Sequence, residues 1–104
     1  MADLTGTWLA SESTQGTYYI RQAADSAGKQ NVWWYGSQPG NTQWANAAFG
    51  TIDGNMIGLQ WADLPLGTNR LSGTLTIEIS ADSNTLTVVA QTGGFGSSKF
   101  TRQS

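Results

Sequence analysis

The sequence predicts an all-β protein, a single antiparallel up-and-down meander that most simply closes into a barrel of eight short strands. β-rich or alternating stretches run the whole length of the 104-residue chain, and turn residues follow each of them. No window between these stretches carries the apolar period of a substantial helix. The predicted strands are 5–10, 16–22, 30–36, 44–52, 55–63, 71–79, 84–91 and 98–102, and residues 1–104 form one domain.

The turns explain the order of these strands. Asp53-Gly54 separates the fourth strand from the fifth, and Asp-Gly is typical of a two-residue hairpin in which both central residues take positive φ. Residues 81–84 form a short polar turn after the sixth strand, and Pro65 interrupts the chain after the fifth. Because the links are short, strands adjacent in sequence are expected to be adjacent in the sheet.

In the predicted fifth, sixth and seventh strands, the alternation of apolar and polar residues shows which side chains are expected to point into the barrel. Apolar side chains recur at every second position with polar ones between them, which indicates a sheet with one buried face. The residues expected to point inward are Ile57, Leu59, Trp61, Leu71, Gly73, Leu75, Ile77, Ile79, Leu86, Val88 and Ala90.

The second, third and fourth strands instead carry large side chains on both faces. Trp33 and Trp34 are consecutive, and successive side chains of a strand point to opposite faces, so one indole must point outward. The alternation does not decide which one. An outward aromatic patch on a chain coated with small polar groups indicates a ligand surface or a subunit interface.

Charge and composition exclude several classes of partner. The net charge is −2, and the five basic residues are scattered along the sequence, whereas nucleic-acid binding needs a clustered basic face. No apolar run approaches the roughly 20 residues of a spanning helix, so no membrane insertion is expected.

A secretory signal peptide is not recognised at the start of the sequence. The compartment is therefore open, cytoplasmic or reached by release without such a signal.

Side-chain chemistry argues against an enzyme. The chain has no Cys and no His, which removes thiol nucleophiles, imidazole bases and nearly all zinc sites. Asp25, Asp53 and Asp82 lie in turn contexts and Glu78 on a polar strand face, so no pair of carboxylates is expected to converge. The sequence contains neither a calcium loop nor a phosphate-binding glycine loop. A non-enzymatic protein with no cofactor and no metal is the expectation.

The surplus of Trp supplies the candidate binding site. Trp8 and Trp61 are most simply core residues, whereas the strands of Trp33, Trp34 and Trp44 leave their roles open. Asp63 follows aromatic residues at a strand end, where it either accepts turn amides or contacts a ligand. Flat aromatic rings beside short polar groups are what a sugar site needs. The candidate ligand-binding residues are Trp33, Trp34, Tyr35, Trp44, Asn46, Trp61 and Asp63.

Both ends of the chain resemble a known family. Gly6-Thr7-Trp8 on the first strand and Arg102 on the last are similar to the calycins, which include lipocalins and avidins, where a Gly-x-Trp packs against a basic residue of the final strand. The resemblance implies an eight-stranded barrel. It does not imply biotin binding. Avidins place polar residues two and six positions after this Trp, and here these positions are Ala10 and Thr14, of which only the second is polar. The central aromatic segments are similar to those of small bacterial domains of undefined role.

Three functions follow, in order of support. The first is a lectin-like barrel that binds carbohydrate through its aromatic and polar side chains. The second, from the calycin resemblance, is a carrier that holds a small apolar or aromatic ligand in the barrel interior. The third is an interaction module that forms a homo-oligomer through its Tyr/Trp face. An open interior favours the carrier, whereas a packed interior with an exposed Trp favours a surface site.

Overall fold

The fold is a closed antiparallel barrel, as predicted. A computed structural model describes residues 3–10, 16–37, 44–64, 71–95 and 97–103. Each strand pairs with its neighbours in sequence, and the first pairs with the last, which closes the sheet. The eight strands are β1 (Gly6–Ala10), β2 (Thr17–Ala24), β3 (Gln30–Ser37), β4 (Ala45–Asp53), β5 (Met56–Asp63), β6 (Ser72–Ile79), β7 (Thr85–Gln91) and β8 (Lys99–Arg102).

Strand boundaries agree closely with the prediction. The largest difference is at the end of β2, which continues to Ala24 where the sequence predicts an end at Gln22. The β4–β5 hairpin is shifted by one residue. Asp53 pairs with Met56, so the two central residues are Gly54 and Asn55, and Gly54 has the positive φ of 64°. The prediction of Asp53 as a central residue is wrong, because a turn with glycine at its first central position needs positive φ only there.

Buried aromatic and aliphatic side chains fill the interior. Tyr18 packs edge-on against Phe100 with ring centroids 4.8 Å apart, and Trp34 lies 5.4 Å from Phe100. Phe95 joins this cluster from the segment after β7 and lies 5.1 Å from Trp61. Aliphatic residues of β3 and β5–β7 continue the core. An eight-stranded barrel has room for little more than its own side chains.

The segment that precedes β1 packs against the core. Leu4 is fully buried, and its carbonyl accepts a hydrogen bond from the Trp8 Nε1–H at 2.9 Å. The Arg102 guanidinium lies 4.6 Å from the centroid of the Trp8 ring, within reach of a cation–π interaction. This is the contact between a first-strand Trp and a last-strand basic residue that the calycin resemblance implies.

The predicted inward face is confirmed on β5 and on most of β6, where Leu75, Ile77 and Ile79 are buried. It is wrong at Leu71, which precedes β6 at the rim of the barrel and is 45% exposed. It is also wrong at Ala90. Ile77 pairs with Val88 and Thr76 with Ala90, so Val89 is an extra residue in β7. Such a bulge reverses the alternation, and both Val89 and Ala90 are exposed.

Candidate functional site

The seven residues predicted to bind a ligand lie on two opposite faces of the sheet. Trp33 points outward and is 43% exposed, whereas Trp34 points inward and is 4% exposed. Tyr35 shares the outer face with Trp33. The remaining residues, Trp44, Asn46, Trp61 and Asp63, lie on the same inner face as Trp34. The structure therefore does not bring all seven together.

The indole N–H groups of Trp34 and Trp61 both have hydrogen-bond acceptors inside the protein, one in the Asn46 side chain and one in the backbone. Trp34 Nε1–H donates to Asn46 Oδ1 at 2.9 Å, and Asn46 is 3% exposed. Trp61 Nε1–H donates to the Thr92 carbonyl at 3.2 Å. Buried polar groups are costly unless they are hydrogen-bonded, so these contacts account for the polar atoms of a packed aromatic core.

Asp63 and Trp44 also make contacts that hold the inner face together. The carboxylate of Asp63 accepts the Leu71 N–H at 2.8 Å, and the Asp63 N–H donates to the Leu71 carbonyl at 2.7 Å. Asp63 thus joins the end of β5 to the chain before β6. Trp44 is half-buried and packs on Tyr18, with ring centroids 5.8 Å apart. The Asp63–Leu71 hydrogen bonds and the Trp44–Tyr18 ring contact support a structural role for Asp63 and Trp44, which the sequence left open.

The outer face carries a second aromatic group. Trp33 and Phe49 are directly opposite each other on β3 and β4, and Gln60 is opposite Phe49 on β5. The two rings lie 5.3 Å apart at an interplanar angle of 44°, and Phe49 is 49% exposed. Cross-strand neighbours on one face contact each other, so these three side chains form a continuous ridge across three strands.

Two alanines beside this ridge create a depression. On the next outward row, Ala47 of β4 is opposite Ala62 of β5, and Tyr35 of β3 is opposite Ala47. The depression has a volume of about 410 Å³. We call it the Trp33 depression, and its lining is Trp33, Trp34, Ala47, Ala48, Phe49, Gln60, Trp61 and Ala62.

Phe49 and Gln60 lie outside the set of residues predicted from the sequence to bind a ligand. Phe49 stands between Ala48 and Gly50, so it was recognisable as the one bulky side chain in that part of β4. Its importance depends on the register that sets it opposite Trp33, and a register between strands is not visible in the alternation of either strand alone.

The Trp33 depression is electrically neutral. None of the described residues that line it is ionisable, and Arg21 lies opposite Trp33 on β2, on the side away from Phe49. Across the described ranges there is no group of three His, Cys, Asp or Glu residues placed to hold a metal ion. The site offers apolar ring faces and an amide, which suit binding rather than acid–base chemistry.

Comparisons with known proteins give no relative from which a function could be inferred. The chain matches no protein-family model, no curated protein and no solved structure. Membership of the calycins thus stays a prediction. No helix within the described part of the chain is long and apolar enough to cross a membrane.

Proposed function

We propose that this protein is a non-enzymatic carbohydrate-binding barrel whose sugar site is the Trp33 depression. The observation that carries the proposal is the exposed Trp33–Phe49 pair, whose tilted rings stand beside the alanine floor and the Gln60 amide. The C–H face of a pyranose ring stacks on aromatic rings, while its hydroxyls hydrogen-bond to neutral polar groups. An amide both donates and accepts such bonds.

The packing of the core favours this outer site over the carrier alternative. The buried core contains Trp34, Trp61, Phe95 and Phe100 in one cluster, and a carrier of this size would need that volume for its ligand. Of the predicted set, Trp33 presents its ring to the depression, and Tyr35 lies beside Ala47 on the same outer face. Trp34 and Trp61 also line the depression, although their side chains are buried beneath it. The inner face also carries Trp44, Asn46 and Asp63, which lie outside that lining.

The oligomer alternative uses the same outer face. Tyr19 is 54% exposed and lies opposite Tyr35 on the outer face, so the exposed aromatic surface extends from the Trp33 depression toward β2. Aromatic residues are enriched at protein interfaces. A monomer at all concentrations in sedimentation experiments would remove this alternative, and it would leave the sugar proposal intact.

The first prediction is that Trp33→Ala abolishes saccharide binding. The probes are linear oligosaccharides of β-1,4-linked glucose, N-acetylglucosamine and mannose, titrated against the purified protein and followed by calorimetry. Because Trp33 is 43% exposed but packs on Phe49, the variant is expected to lose about 1 kcal/mol of stability and to remain folded. The matched control is Val89→Ala, since Val89 is an apolar residue that is 50% exposed on β7 and lies outside the depression.

Binding by wild type and by Val89→Ala, together with loss of binding in Trp33→Ala, supports the proposal. Equal affinity of wild type and Trp33→Ala would place the site elsewhere on the molecule. If wild type binds none of the three series, the carbohydrate proposal is rejected.

A further inference from the structure

A second depression adjoins the first on the outer wall. Its volume is about 440 Å³, and it shares Phe49 and Gln60 with the Trp33 depression. We call it the Gly58 depression, and its lining is Phe49, Gly50, Gly58, Leu59, Gln60, Thr74, Leu75 and Thr76. Phe49 and Gln60 therefore stand between two neighbouring hollows.

The Gly58 depression exists because an outward position of β5 has no side chain. Gly58 lies opposite Thr51 of β4 and Thr76 of β6, and it is exposed. A Cβ atom built on Gly58 meets no atom within 4 Å. Glycine inside a strand weakens it and often marks a place where a ligand approaches the backbone. Packing within the barrel gives no reason for glycine here, since the space above it is open.

The two depressions together are longer than one sugar ring. Ala62, in the floor of the first, and Gly58, in the second, are four residues apart on β5, which corresponds to roughly 13 Å at about 3.3 Å per residue. Gln60 lies midway between them on the same face. A ligand that touches both floors must pass over the Phe49–Gln60 pair, where a flat ring can stack on the phenyl group.

Both depressions are also neutral. None of the described residues that line either one is ionisable, and the second adds the Thr76 hydroxyl to the Gln60 amide as a hydrogen-bonding group. Arg21 lies opposite Trp33 on the side away from Phe49, so an acidic group over Phe49 or Gly58 would have no cation in the lining to pair with, and its charge would lose solvation on binding. The lining thus suits a ligand whose polar groups are uncharged hydroxyls and amides.

We propose that the two depressions form one site for a neutral linear oligosaccharide of at least two rings, one ring in each depression. This inference rests on the proposed function and assigns its substrate class. The ring in the Trp33 depression stacks on aromatic side chains. The ring in the Gly58 depression occupies the space that a side chain at residue 58 would fill.

The test is the dependence of affinity on chain length in wild type and in Gly58→Val. The probes are one- to six-ring members of the β-1,4-linked glucose, N-acetylglucosamine and mannose series, titrated by NMR so that millimolar affinities are measurable. Valine favours the strand conformation, and a Cβ atom at this position meets no atom within 4 Å, so the variant is expected to fold. The control is Thr87→Val, which places a valine on the β7 wall outside both depressions by exchanging a hydroxyl for a methyl group.

In wild type, affinity is expected to rise about tenfold, equivalent to about 1.4 kcal/mol, from one ring to three. Gly58→Val should keep the single-ring affinity and lose that gain, whereas Thr87→Val should keep both. If oligosaccharides bind with the same affinity as single rings, or if Gly58→Val keeps the gain, the two-depression site is overturned and the Trp33 site stands. If no saccharide binds to wild type, both proposals are rejected.

Discussion

At the scale of single residues, Trp33 and Trp34 show how position sets the role of a side chain. The indole of Trp34 is surrounded by Tyr18, Phe95 and Phe100, and its N–H is bonded to Asn46. The indole of Trp33 contacts Phe49 and faces outward. Loss of Trp34 would therefore leave a cavity and an unpaired amide oxygen in the core, whereas loss of Trp33 removes a piece of outer surface.

We predict that Trp34→Phe destabilises the protein by about 1–3 kcal/mol beyond the effect of its smaller ring, because Asn46 Oδ1 loses the donor that the structure gives it. The control is Trp33→Phe, for which a change within about 0.5 kcal/mol is expected. Urea unfolding of both variants measures the difference. Equal midpoints would mean that the Trp34–Asn46 hydrogen bond contributes nothing to stability.

The sequence predicts that one indole faces outward, but it cannot say which. Alternation fixes only the relative orientation of Trp33 and Trp34. The absolute orientation depends on which face of β3 joins the core, and this follows from pairing with β2 and β4. For the same reason the sequence does not show that Asn46 bonds to Trp34, or that Asp63 bonds to the Leu71 amide.

At the scale of strands and turns, the predicted elements are confirmed where short polar turns separate alternating runs. Alternation fails in β7, because the extra residue Val89 moves Ala90 to the outer face. The polar–apolar alternation of β7 stops at Val89, but the sequence of one strand does not assign a bulge, since a bulge is defined by two residues opposing one on the partner. After the bulge Gln91 pairs with Leu75, and its side-chain oxygen accepts the Phe95 N–H at 3.1 Å, which helps to place Phe95 in the core.

Two turns carry carboxylates whose hydrogen bonds make stability depend on pH. Asp25 accepts the N–H groups of Lys29 and Ala27 in the β2–β3 turn, and the bond from Lys29 is the main reason that its pKa is lowered. Asp82 accepts the Ser80 hydroxyl and the Asn84 N–H in the β6–β7 turn, and the Ser80 bond is the main reason that its pKa is lowered. Hydrogen bonds to the ionised form favour that form.

A pKa that is lower in the folded state means that the carboxylate stabilises the fold above its unfolded pKa, close to 3.8. That contribution is lost as the pH falls through the folded pKa. We predict that the urea midpoint decreases from about pH 4 downward, and that it decreases less in Asp25→Asn/Asp82→Asn, whose turns no longer titrate. Urea unfolding between pH 7 and pH 2 tests this, and parallel curves for the two proteins would contradict it.

At the scale of the whole molecule, closure of the barrel depends on the pairing of β1 with β8. The other strand pairs join neighbours in sequence, whereas this pair brings Trp8 opposite Arg102. The resemblance of Gly6-Thr7-Trp8 and Arg102 to the calycin pattern predicted this closing contact. The outer depressions lie on β3–β6, away from the closing pair, so closure and ligand binding are expected to respond to different substitutions.

The side chain of Arg102 adds hydrogen bonds that stabilise the closed barrel. Its guanidinium donates to the carbonyls of Asp3, Thr5 and Ser83, and to Asn84 Oδ1. These acceptors belong to the segment leading into β1 and to the turn before β7. One planar group thus joins the start of the chain to the turn, while its face covers the Trp8 ring.

We predict that Arg102→Met lowers the free energy of unfolding by about 2 kcal/mol, because four hydrogen bonds from a charged group and the cation–π contact with the Trp8 ring are lost. Arg102→Lys should recover only part of this loss, since a single ammonium cannot reach acceptors spread around a planar fork. Urea unfolding measures both variants, and saccharide titration of the folded proteins should give wild-type affinity. Full recovery by lysine would show that the positive charge, and not the fork of donors, holds the ends of the barrel together.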